Sequence, residues 1–211
     1  IFTTTIERRW EFYKLVTRGF FGKKENNDRV PPGQYIENRF PVLSAEPTPK
    51  IELENWNLTI FKNDEELAKI DWKFLENLEK SEITKDIHCV TRWSKFDMKW
   101  AGVSVKKLFQ EIDLAPPTDW TMTGSSTGYT TNVPTKDLFL EDTIISYSYE
   151  DEPISPEHGG PIRLIVPHLY FWKSAKWFDK IIFMDSDKGG FWENYGYHMY
   201  GDPWKEQRYS G

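Results

Sequence analysis

Hydrophobic and polar positions change period several times along the chain. Residues 3–20 place Ile6, Trp10, Tyr13 and Phe20 on one side of a helix, with charges between them. The polar stretch from Gly22 to Gly33, with Asn26, Asn27 and the breaker Pro31-Pro32-Gly33, reads as a linker or surface loop. It divides a helical arm and linker (1–33) from a main domain (34–211). Residues 34–50 carry three prolines and are expected to be extended and loop-like. Asn55 to Phe61 alternates, with Trp56, Leu58 and Ile60 facing one way, which predicts a strand. Asp71 to Glu79 has Trp72, Leu75 and Leu78 at helical spacing behind an N-capping Asp71. Val105, Leu108, Phe109 and Ile112 predict a helix starting near Ser104. Thr143 to Tyr149 alternates again, with Ile145, Tyr147 and Tyr149 on one face, and Ile162–Val166 and Ile181–Met184 read as short buried strands. Strands outnumber helices without regular alternation, so the expected class is α+β with a mixed sheet.

Composition sharpens this picture. The chain of 211 residues holds ten Trp, ten Tyr and fourteen Phe, and such rings bury large areas and line pockets well. Its formal net charge of −6 argues against a nucleic-acid or membrane-surface binder. No apolar run approaches a membrane span. One cysteine, Cys89, makes no intrachain disulfide and fits a reducing, cytoplasmic setting; the chain starts at Ile1, which leaves a removed leader open.

The distribution of acids is uneven. Ile87–Phe96, Thr121–Lys136 (one lysine, no carboxylate) and Gly159–Trp177 contain no Asp or Glu. Each window alone is what a buried strand or a loop would show. Their co-occurrence with a lone cysteine points to an anion, because Arg, Lys, hydroxyls and glycine-adjacent N–H groups together make an anion cradle. Cys89 itself is either a small buried hydrophobe or a thiolate, and a thiolate is a nucleophile or a soft metal ligand. His88 is a poor base for it, since adjacent side chains on an extended segment face opposite ways. His88, His158, His168 and His198 show no zinc spacing, and no glycine-rich nucleotide motif is present. The carboxylate pairs Glu65-Glu66 and Asp151-Glu152 read as solvated surface. Tyr129, behind Ser125-Ser126-Thr127-Gly128, is either a packing ring or a hydrogen-bond donor to an oxyanion. The aromatic tail from Phe191 to Trp204 reads as a packed C-terminal segment, with a pocket cover or an interface as the other readings.

HCVTRWSKFDMKWAGVSVKKLF resembles the metal-ligand segment of the sulfite-oxidase family of molybdenum enzymes. GGPIRLIVPHLYFWKSAKW resembles its molybdopterin-holding segment, YIENRFPVL its first pterin-contact segment, and GYTTNVP the loop that brings a tyrosine near the metal. The four occur in the family's order over about residues 34–185. The resemblance implies the mixed-sheet α+β oxidoreductase molybdopterin-binding (sulfite oxidase) fold in its small, single-domain form, without haem or dimerisation domains. It implies a molybdenum–molybdopterin cofactor, with tungsten possible on the same ligands, and Cys89 as the metal ligand. Asn38, Arg39, Gly124, Ser125, His158, Arg163, Lys173, Ser174 and Lys176 match cofactor contacts, Lys173, Ser174 and Lys176 forming the phosphate-gripping end. Tyr129 and Arg92 would orient substrate oxygen. Glu37 stands where sulfite oxidases have an arginine, and a further C-terminal arginine would lie in a domain this chain lacks. A sulfoxide therefore ranks equally with sulfite as the small oxo substrate, alongside an unidentified electron-transfer partner. A cysteine-nucleophile enzyme and a metal-free binding module are the competing classes.

Overall fold

The structure, a computed structural model, describes residues 28–210. The helix expected over residues 3–20 lies outside them. Among the described residues the chain forms two sheets. The first is six-stranded. Its path runs β1 (Tyr35–Ile36), β5 (Trp93–Ser104), β8 (Ile144–Tyr149), β10 (Arg163–Ile165), with β4 (Ser81–His88) on β5 and β9 (Glu152–Pro153) on β8. The second runs β3 (Glu65–Asp71), β2 (Asn57–Lys62), β11 (Phe178–Met184), β6 (Trp120–Ser125), β7 (Thr130–Pro134). β1 is parallel to β5 and β11 is parallel to β2, while the other pairs are antiparallel, so both sheets are mixed and the α+β expectation holds.

Side-chain alternation sends the first sheet into two cores. Ile145 and Leu164 join Leu58, Ile60, Phe178 and Phe183 in one, against the second sheet. Ile144 and Ile165, one residue away on the same strands, join Trp93, Met98, Trp100 and Phe171 in the other. The second core carries the site. Each large side chain fully buried here, such as Trp100 or Phe178, contributes roughly 1.5–3 kcal/mol of burial.

The expected strand at Asn55–Phe61 is β2, with Trp56, Leu58 and Ile60 buried. Asp71 caps α1 (Trp72–Glu76), its carboxylate accepting from Phe74 N at 2.7 Å, and the helix stops three residues short of Glu79. Ser104 precedes α2 (Val105–Glu111) but makes no side-chain cap. One strand face is misread by simple alternation. The β5–β8 register shifts between Ala101 and Gly102, and the extra residue turns Tyr149 away from Tyr147. Tyr147 packs on the first core, Tyr149 on the second, 4.7 Å from Trp100. Two one-turn helices, α3 (Thr135–Leu138) and α4 (Phe191–Asn194), and three 3-10 turns (Leu53–Asn55, Pro156–His158 and Phe171–Lys173) complete the described elements. Among the described residues no helix is long and apolar enough to cross a membrane.

Candidate active site

β4 ends at His88 and β5 begins at Trp93, so residues 89–92 must reverse the chain. They do so in a tight turn: Arg92 N donates to Cys89 O and Cys89 N to Trp93 O, both at 2.9 Å, with Arg92 in the left-handed region at φ 79°. The turn lifts the Cys89 side chain off the ladder and into a cavity of about 360 Å³. Thr91 Oγ1 donates to Cys89 Sγ at 3.2 Å. Burial pushes the thiol up; the Thr91 bonds and the charges of Arg208 and Arg163 oppose it. His88 faces the other way, as expected, with Nδ1 2.8 Å from Ser94 Oγ, and takes no part in the cavity.

Opposite the sulfur the cavity presents a cationic wall. Arg163, on β10, is buried; Nη1 donates to His158 O at 2.7 Å, Nη2 to Ser174 O at 3.2 Å, and the guanidinium lies 3.8 Å from the Phe171 ring centroid. Burial pushes its pKa down to about 9. Lys176 is pushed down to about 7, first by burial and then by the charge of Arg163. His158 is lowered to about 4 by burial and by both cations, and stacks on Phe40 with centroids 3.8 Å apart. Two glycines let this wall assemble. Gly159 sits at φ +105°, where a Cβ would come within 2.8 Å of Lys176 Cγ, and a Cβ on Gly160 would meet Ile154 O at 1.9 Å.

Several polar groups on this wall are unengaged by protein. Among the described residues, His158 Nδ1 and Arg163 Nε are buried without a partner. Ser174 Oγ accepts from Val166 N at 2.9 Å, which leaves its own proton available. Orphaned donors beside cations whose charge is disfavoured fit an anionic group, which would satisfy the first and restore the second. Among the described residues no three or more His, Cys, Asp or Glu side chains are grouped to hold a metal. A metal at Cys89 would therefore have to arrive with its other ligands on an organic cofactor, and the donor set fits that requirement.

Cys89, Tyr129, His158, Arg163, Ser174 and Lys176 thus converge on one cavity. The remaining candidates do not. Lys173 is fully buried elsewhere: its ammonium donates to Asn132 Oδ1, Glu193 Oε1 and Met199 O, each at 2.7 Å, and to Asn132 O at 2.8 Å. It has no donor left for a phosphate. Arg92 is exposed and contributes its backbone to the turn, and its side chain does not line the cavity. Asn38 and Arg39 are exposed; Arg39 pairs with Glu37 at 3.3 Å, and Asn38 O accepts from Lys95 Nζ at 2.8 Å. Gly124 and Ser125 lie on β6, with Ser125 Oγ 2.7 Å from Thr127 Oγ1, outside the cavity. Tyr129 is in place, but its hydroxyl donates to Trp172 O at 2.6 Å, so its proton is already committed. Burial and the Glu193 charge hold this phenol well above its ordinary pKa.

Two further features line or flank the site, the first of them among the sequence readings of the aromatic tail and the second not. Trp172, Trp192 and Tyr197 form an aromatic wall, Trp192 and Tyr197 stacked at 5.0 Å, so part of the C-terminal tail covers the pocket. The aromatic excess after Phe191 is its signal. The basic residue beside the cysteine turn is Arg208, 118 positions from Val90, where no local motif points.

The model of the oxidoreductase molybdopterin binding domain matches residues 45–192. The chain is 38% identical over 195 residues to the uncharacterized oxidoreductase YuiH of Bacillus subtilis (strain 168), covering 90% of this chain and 98% of that protein. It is 25% identical over 171 residues to the protein-methionine-sulfoxide reductase catalytic subunit MsrP of Campylobacter jejuni, covering 70% of this chain and 55% of that one. Among solved structures, the sulfane dehydrogenase SoxCD from Paracoccus pantotrophus superposes with a TM-score of 0.57 over 66% of this chain and 40% of that chain, at 16% identity, a likeness of fold. The chain therefore spans nearly all of the Bacillus relative and about half of the Campylobacter one. With a matching family model over most of its length and a full-length relative, the chain belongs to the oxidoreductase molybdopterin-binding domain family.

Proposed function

We propose that the protein is a molybdenum-cofactor-dependent oxidoreductase that moves one oxygen atom to or from a small oxo substrate such as sulfite or a sulfoxide. The observation that carries this is the lining of one cavity: a thiol, Cys89, shares it with the buried Arg163 and the half-buried Lys176. Cys89 would ligate the metal, molybdenum or tungsten. Arg163, Lys176 and the Ser174 hydroxyl would hold the phosphate, and His158, stacked on Phe40, the pterin. When bound, the cofactor supplies the two-electron oxygen-atom transfer. The protein's part is electrostatic and steric. Eight Phe, Trp and Tyr rings line the cavity, and apolar walls of this kind strengthen charge interactions beside them. Tyr129 stays protonated, its proton held by Trp172 O. The names of the Campylobacter and Paracoccus proteins favour a sulfur compound as substrate. An electron-transfer partner would complete the cycle.

The test is elemental analysis of protein purified from a host that makes molybdopterin. Molybdenum or tungsten near one per chain is expected, dropping to background in folded Cys89→Ser. Neither metal in folded wild-type protein, or full metal-dependent activity in Cys89→Ser, would overturn the reading.

A further inference from the structure

Arg208 is buried at 4% exposure, yet among the described residues its partners are almost all neutral. Nη1 donates to Val90 O at 2.8 Å, and Nη2 to Pro32 O at 3.1 Å and Gln34 Oε1 at 3.4 Å. Gln34, itself buried, passes the contact on, its Nε2 donating to Cys89 O at 3.0 Å. The guanidinium lies 5.0 Å from the Tyr170 ring centroid. Its only carboxylate is that of Glu206, about half exposed and 3.5 Å from Nε. A buried cation held by carbonyls, with its one acidic partner in solvent, calls for a nearby anion.

We infer that Arg208 is a positioning residue for the metal-ligand turn: its fork ties the 32–34 segment, the Cys89 turn and the C-terminal tail together. The tail is anchored for this task, with His198 N donating to Arg208 O at 3.2 Å and Ser210 N to Gly196 O at 3.0 Å. A planar fork spans carbonyls on two segments, which a lysine ammonium cannot do with the same geometry. The inference rests on the proposed role of Cys89.

Arg208→Gln and Arg208→Lys test it on protein from the molybdopterin-competent host, with three readouts: metal per chain, the thiolate-to-metal absorption band, and amide hydrogen exchange of residues 88–93. Arg208→Gln is expected to lower metal affinity about 10- to 100-fold, shift the band of the remaining loaded protein, and speed exchange at 88–93 while β6 and β7 stay protected. Arg208→Lys restores the charge and much of the metal content but leaves exchange fast. Folded Arg208→Gln with wild-type metal, band and exchange would overturn the inference. So would a uniform rise in exchange over the whole chain, which marks a merely structural residue. If wild-type protein carries no metal, the cofactor reading fails, and the exchange of the 88–93 turn alone decides Arg208: unchanged exchange sinks it.

Discussion

Lys176 shows how much one residue's ionisation depends on what fills the cavity. Burial and Arg163 hold its pKa at about 7 against the ordinary lysine value of 10.5. Between those pH values the unfolded chain binds more protons than the folded one, so this group makes cofactor-free protein more stable as pH rises from about 7. Below 7 the folded chain must carry an ammonium that its surroundings disfavour. A bound anion reverses the preference, because it pairs with the charged form. Inorganic pyrophosphate, as a probe on cofactor-free protein, is therefore expected to raise the melting temperature most below pH 7. The gain should shrink as pH rises through about 7 and then level off, because the Arg163 guanidinium keeps its charge over this range. Lys176→Met should abolish the step. A pyrophosphate shift that stays flat from pH 6 to 9 would place the anion away from Lys176.

At the scale of elements, Lys173 explains both what the sequence conveys and what it hides. Lys173 and Lys176 stand three apart in an acid-free window and look equivalent as anion ligands. The 3-10 turn Phe171–Lys173 ends at Ser174, whose backbone (φ −95°, ψ 83°) breaks the helical path. Lys176 then lines the cavity, while Lys173 enters a buried hub with β7 and α4. There Glu193 Oε1 also accepts from Trp172 Nε1 at 2.8 Å and Thr131 Oγ1 at 2.7 Å, fixing the ring that forms the cavity wall. Glu193→Gln strands a buried ammonium and should cost about 3–5 kcal/mol, whereas the double variant Lys173→Met/Glu193→Leu should cost less than that single change. Urea midpoints compare them with Lys173→Met, and a double loss equal to the sum of the two single losses would mean that the pair is not coupled. Periodicity is a local property, which is why β2, α1 and α2 are legible in Trp56, Leu58, Asp71 and Leu108. The bulge that turns Tyr149, the path of Lys173 and the approach of Arg208 to Cys89 depend on pairing between distant segments. Cys89, Arg163 and Lys176 stand in windows that lack carboxylates, a compositional trace readable whatever the fold, whereas His158, next to Glu157, was legible only through the family resemblance.

The whole molecule couples the site to global stability. The cavity draws on the 40–46 strap, the Cys89 turn, Tyr129, the His158–Arg163 segment, the 171–177 segment and the tail at Trp192 and Tyr197. These flank both sheets and the second core, so an occupant would contact all of them at once. A ligand that binds the folded chain alone stabilises it by about 2.7 kcal/mol at a hundred times its Kd. For a chain of this length that is a rise of about 5–11 °C in melting temperature. Protein from a molybdopterin-competent host should therefore melt higher, by at least this amount, than protein from a cofactor-deficient host. Arg163→Met should narrow the difference by weakening the grip on the phosphate, while Lys99→Ala, on the surface pair with Asp151, should leave it intact. Coincident melting of the two preparations, with metal present in one, would show that the occupant is held without contacting these segments. The cationic wall and the thiol would then not be two sides of one site.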